Sequence, residues 1–181
     1  MRCCPLFLVI LFTALTCRGQ IYEVGTGVIN FHSDAPQELI RASTNKLKGY
    51  IDLDKKTFAF KISIASFIGF NSPLQREHFN ENYMESTVYP EASFLGKIIE
   101  DVDLRKEGIY RVRAKGKLKI HGVDQERIIN SLVVNKGGTL NIRSEFVIPL
   151  ADHNIKIPRI VYEKLAPDIN VSVAATMQPK Q

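Results

Sequence analysis

Hydrophobic and polar residues alternate with a period of two along most of the chain. The segment Tyr110 to Ile120 shows it best: Tyr110, Val112, Ala114, Gly116, Leu118 and Ile120 fall on one side, and Arg111, Arg113, Lys115, Lys117 and Lys119 on the other. Successive side chains of a strand point to opposite faces, so this pattern predicts one buried and one wetted face. The same alternation runs through Leu47, Gly49, Ile51 and Leu53, through Phe58, Phe60, Ile62 and Ile64, through Leu140 to Ile148, and through Ile169 to Met177. Less regular strands are expected near Tyr22 to Phe31, Glu38 to Ala42, Ala92 to Ile99 and Arg127 to Asn135. Breaks at Asp54-Lys55-Lys56, at His121-Gly122-Val123-Asp124 and at Lys136-Gly137-Gly138 read as hairpin connections. Long, sequential, antiparallel strands favour an all-β, up-and-down barrel, which leaves no exposed edge.

One stretch departs from the period. Ser72-Pro73-Leu74-Gln75 combines an N-cap, a proline at the first helical position and a capping-box glutamine. A helix is therefore expected from Ser72 to about Tyr83, on the connection between two strands, with a second short turn at Tyr162 to Leu165.

An eight-stranded barrel either fills with its own side chains or holds one small ligand. The inward sets mix large residues (Phe58, Phe60, Phe146) with small ones (Gly49, Ala114, Gly116, Ser144, Ala175). The small residues leave room for a ligand, or they face large ones in ordinary interdigitation; the pattern keeps both readings open. Phe67-Ile68-Gly69-Phe70, just ahead of the capped helix, would make an apolar mouth or the end of a core strand.

The first nineteen residues read as an export signal, with Arg2, an apolar run from Leu6 to Leu15, and cutting expected before Gln20. All three cysteines (Cys3, Cys4, Cys17) fall in that leader, so the domain expected over 20–181 has no thiol. An exported chain without disulfides fits a bacterial periplasm; secretion, or a lipid anchor on Cys17, is the alternative. The net charge of +5 becomes +3 without Arg2 and Arg18, too mild to argue for nucleic acid. The cation ladder from Arg111 to Lys119 reads as a solvated outer face, with attraction to an anionic membrane surface as the sharper reading. No nucleophile elbow, phosphate loop or zinc-protease motif is present, and the four histidines have no ligand spacing. A binding protein without cofactor or metal is the expectation, and pairing with a second copy stays open.

Three segments resemble the YceI-like family of lipid- and polyisoprenoid-binding barrels. The first is Gln75 to Phe94, with His78, Phe79 and Tyr83 followed by Tyr89-Pro90-Glu91-Ala92-Ser93-Phe94. The second is Gly116-Lys117-Leu118-Lys119-Ile120-His121-Gly122-Val123. The third is the tail from Glu145-Phe146 through Ile155 and Ile157-Pro158 to Val171 and Val173. The chain departs from the family at Gln75-Arg76, where many members carry an Arg–Asp pair. The resemblance implies an eight-stranded, lipocalin-like barrel enclosing an isoprenoid or other long-chain lipid. It would place Phe58, Phe60, Phe67, Phe70, Phe79, Tyr83, Phe94, Leu118 and Phe146 around the cavity, with Arg76, His78 and His121 as candidate polar contacts; His78 and His121 read equally well as residues that cap or brace the backbone near a turn. The other reading is an interaction or structural protein of the envelope whose barrel is filled by side chains.

Overall fold

Each alternating run forms a strand in the structure, a computed structural model that describes residues 20–180. The expected leader lies outside the described residues. The strands are β1 (Ile21–Asp34), β2 (Leu39–Thr44), β3 (Lys48–Asp52), β4 (Thr57–Ser63), β5 (Glu91–Ile98), β6 (Gly108–Ile120), β7 (Val123–Lys136), β8 (Thr139–Pro149) and β9 (Asp168–Pro179). From β3 to β9 each strand pairs antiparallel with the next, and β9 returns to β1 to close the barrel. The other edge of β1 is shared. Residues 21–23 pair with β3 and residues 29–34 with β2. Because β2 and β3 run along that edge in the same direction, nine strand segments make an eight-stranded barrel. At the break between them Leu47 folds across Gly27, where a methyl group would lie 2.8 Å from its Cδ2.

Two tight hairpins set the register. His121 and Gly122 (φ 49 and 74) join β6 to β7, and Gly137 and Gly138 (φ 60 and 73) join β7 to β8. Positive φ at both central residues matches the right-handed twist of the flanking strands.

One end of the barrel is closed. Tyr22, Ile51, Phe58, Val112, Val133, Leu140 and Met177 pack into a floor, and Leu104, from the β5–β6 connection, plugs it from below. The Asn135 side-chain amide donates to the Leu104 carbonyl at 2.7 Å and holds the plug.

The other end carries the helical segments. Helix α1 (Pro73–His78) begins where the sequence places it: the Ser72 hydroxyl accepts the Gln75 amide at 3.1 Å. The Gln75 side chain reaches past Ser72 to accept the Asn71 amide at 3.0 Å. Beyond His78 the helix widens into one π-helical turn, Phe79–Tyr83, with the Met84 amide bonded to the Phe79 carbonyl at 2.9 Å. The widened turn places Phe79, Tyr83 and Met84 all over the barrel interior. The second helical turn starts earlier than expected, as a 3-10 turn over Arg159–Val161, because the preceding Pro158 (φ −63) fixes its entry.

Candidate functional site

The interior is not filled. Along β8, Leu140 at the floor is 0 % exposed, yet the inward residues above it, Ile142, Ser144, Phe146 and Ile148, are only half-buried. On β9, Met177 and Ala175 are buried while Val173 and Val171 are not. These side chains point away from bulk water, so what they face is an internal cavity. Its volume is about 560 Å³, and it is lined from every strand pair of the barrel. Closed barrels of eight strands have room for one small ligand, and this volume is typical of such sites.

The wall is almost wholly apolar. Its middle consists of Ala114, Val173 and Ala175 with Phe58, Phe60 and Phe94, whose rings contact one another at centroid distances of 5.8 and 4.8 Å. The hydroxyls of Ser131 and Ser144, opposite each other on β7 and β8, also lie on it, 2.7 Å apart, and satisfy one another. The small residues divide into two groups. Gly49 leaves no space, since a methyl there would fall 2.4 Å from the Phe60 ring, and Gly96 and Gly116 pack backbone to backbone. Ala114, Ser144 and Ala175 do open onto the cavity. Both readings of the small inward residues therefore hold, at different levels of the barrel.

Four phenylalanines clamp the helical flap to β1. Phe31 stacks on Phe79 at 5.5 Å and meets Phe67 edge-on at 5.2 Å and Phe70 at 6.0 Å. Such contacts add about 1 kcal/mol each beyond their buried area.

Polar groups gather at the flap end. Glu38, Ser72, Gln75, His78 and Lys164 reach the cavity there. A chain of hydrogen bonds connects the elements that carry them. The Gln75 side-chain amide donates to Glu38 at 2.9 Å, and the neighbouring Gln37 amide donates to the Glu163 carbonyl at 2.8 Å. Helix α1 and the 159–165 segment thus stand on either side of the β1–β2 turn. Desolvation pushes the Tyr83 hydroxyl above its ordinary range, so it stays neutral and available as a donor.

Of the expected site residues, Phe58, Phe60, Phe67, Phe70, His78, Phe79, Tyr83, Phe94, Leu118 and Phe146 line this cavity. Arg76 and His121 do not. Arg76 turns back and donates from Nη2 to the Ala65 carbonyl at 3.0 Å. His121 braces two turns, with Nδ1 3.1 Å from the His153 carbonyl oxygen and Nε2 2.6 Å from the Glu85 carboxylate. Its ring also meets Tyr89 at 4.5 Å, so two of the motifs behind the family resemblance, other residues of which line the cavity, are joined to each other here outside it.

Sequence reasoning missed Ser131, Glu38, Val161 and Lys164. The run Leu132-Val133-Val134 blurs the alternation around Ser131, and the 159–165 segment has no period to read. The cation ladder of β6 lies on the outer face, as the alternation required. Arg113 is paired with Glu100 at 2.7 Å, and Lys117 and Lys119 lie opposite Glu126 and Asp124.

Among solved structures the chain is similar to a polyisoprenoid binding domain from Saccharophagus degradans implicated in plant cell wall breakdown. The two are 13% identical with a TM-score of 0.72, over 88% of this chain and 98% of that chain. It is similar to BcnA of Burkholderia cenocepacia at 15% identity and a TM-score of 0.68, over 83% of this chain and 95% of that one. The YCEI protein of Campylobacter jejuni follows at 19% identity and 0.63, over 77% and 85%. No curated protein matches the sequence. These structural likenesses carry the fold. The YceI-like domain family itself matches residues 23–177, from within β1 to within β9. The chain belongs to the YceI-like family.

Proposed function

We propose that this is an exported binding protein that encloses a long apolar lipid in its barrel, a polyisoprenoid such as a polyprenyl phosphate or a quinone-like tail. The observation that carries the reading is the cavity of about 560 Å³, walled by half-buried Ile, Val and Phe side chains above a sealed floor. Water gains little in such a wall, whereas each CH₂ buried there contributes about 0.8 kcal/mol. The polar groups at the flap end suit a head group left near the surface, with the Lys164 ammonium as the cation for a phosphate. The choice of an isoprenoid over other lipids rests on family membership and on the polyisoprenoid binding of the Saccharophagus neighbour. Export to the periplasm rests on the leader-like residues 1–19.

Organic extraction of protein purified from its native envelope, followed by mass spectrometry, tests the ligand. An isoprenoid lipid in stoichiometric amount is expected, and folded protein that repeatedly yields no lipid would refute the reading. Export is tested by the amino terminus of the periplasmic protein, expected at Gln20.

A further inference from the structure

We infer that the rim made by the Arg159–Val161 turn and helix α1 docks on an anionic lipid bilayer, which sets the cavity mouth against the source of its cargo. The inference rests on the lipid-carrying reading and deepens it. Ile160 is 91 % exposed, Tyr162 56 % and Leu74 57 %. An isoleucine held almost entirely in water contributes no burial energy to the fold and leaves its apolar surface free for a partner. Exposed apolar side chains on the barrel wall, such as Leu95 and Ile128, are single and flanked by lysines: Leu95 lies opposite Lys117, and Ile128 opposite Lys115. Those are ordinary surface positions. The rim residues differ because they are continuous with the cavity. Leu74 itself lines it, as do Val161 and Lys164 on either side of Tyr162.

The charges on this segment complement an acidic surface. Lys156, Arg159 and Lys164 are exposed, and none is in an ion pair among the described residues. The acid between them, Glu163, is engaged by the Gln37 side-chain amide. Apolar side chains inserting at the interface, with cations beside them facing lipid phosphates, are the components of reversible membrane binding. Contact at this end would let a lipid pass from bilayer to cavity without crossing water. No helix among the described residues is long and apolar enough to cross a membrane, so the contact is superficial as far as helices are concerned.

The chain contains no tryptophan, so Ile160→Trp creates a single reporter. Its emission should shift to the blue on vesicles of equal parts phosphatidylcholine and phosphatidylglycerol, and far less on phosphatidylcholine alone. Ile128→Trp, on the wall, should not shift. No shift at the rim, or an equal shift at the wall, would overturn the inference. So would a shift that grows with protein concentration in the absence of vesicles, which would assign the rim to a second copy. Ile160→Glu should weaken vesicle binding on the order of tenfold. It should slow uptake of an isoprenoid alcohol from vesicles and leave uptake from detergent micelles unchanged; equal loss from both would place Ile160 in cargo binding and overturn docking. If the wild type takes up isoprenoid from neither source, the carrier reading falls, and the tryptophan shift still decides docking.

Discussion

His121 and Glu85 meet at 2.6 Å across a joint in which both backbones are left-handed, at φ 49 and 43. His121 gains that conformation from the β6–β7 hairpin. Glu85 lies two residues after the π-helical turn, so their bond fastens the end of the helical segment to the barrel. A non-glycine residue held at positive φ costs about 1 kcal/mol or more, which the joint must offset.

Breaking this joint should loosen the flap without unfolding the barrel. Glu85→Ala loses the bond and keeps the backbone cost, whereas Glu85→Gly loses the bond but adopts φ 43 freely. The expected order of urea midpoints is wild type, then Gly, then Ala, with about 1 kcal/mol between the two variants. Amide exchange should quicken over residues 79–89. An alanine variant as stable as the glycine one would show that the left-handed backbone carries no cost here.

The close approach at Gly49 predicts a contrast between two glycines of one sheet. A methyl at Gly49 would fall 2.4 Å from the Ala59 carbonyl oxygen and 2.4 Å from the Phe60 ring; at Gly25 the nearest atom is 3.6 Å away. Gly49→Ala should destabilise by about 2 kcal/mol or more, and Gly25→Ala should stay within about 0.5 kcal/mol of wild type. Thermal denaturation of the pair checks this, and equal losses would contradict it.

Filling the cavity should abolish binding and spare the fold. Val173 lies on the wall of the open part, opposite Ser144. Val173→Trp should weaken isoprenoid binding by about tenfold or more, because the ring takes space the ligand needs. Stability should be unchanged or higher, since the new side chain fills a void instead of a packed core. Unimpaired binding in a folded variant would place the ligand elsewhere.

Stability should fall in mild acid because of His153. Its side chain is fully buried, and desolvation pushes its pKa below the ordinary 6.5, against the hydrogen bond from Nδ1 to the Val123 carbonyl at 3.3 Å. The native ring is therefore neutral, while the unfolded ring takes up a proton below about pH 6.5. The contribution is complete above that pH and is lost as the pH falls toward the lowered native value. The Asp52, Glu100, Asp101 and Asp103 carboxylates are all held below their ordinary range by hydrogen bonds, so their share is lost only at lower pH. Urea midpoints should decline as the pH falls below about 6.5. The decline should be absent in His153→Phe, and a slope that persists there would assign it to another group.

The β architecture was legible because its cause is local. Alternation along Tyr110–Ile120 or Leu140–Ile148 assigns each side chain a face whatever the strand pairs with, and Ser72-Pro73 starts a helix by satisfying its own first turn. A bracing role for His121 was open from its place at a turn, but its partners were not legible, because Glu85 and His153 lie 36 and 32 residues away and meet it only through the joint.

The sequence by itself determined the nine strand segments, the inward and outward faces of the five regular ones, the hairpins at His121-Gly122 and Gly137-Gly138, and the capped helix between two strands. Only the tertiary structure decided that β2 and β3 share one edge of β1, that Gly49 is filled by Phe60 while Ala114 and Ser144 border open space, and that residues 159–165 join α1 at the mouth. Periodicity reports how a side chain is directed relative to its own backbone. Whether the space in front of it is occupied depends on the strand across the barrel, and no local pattern carries that distance.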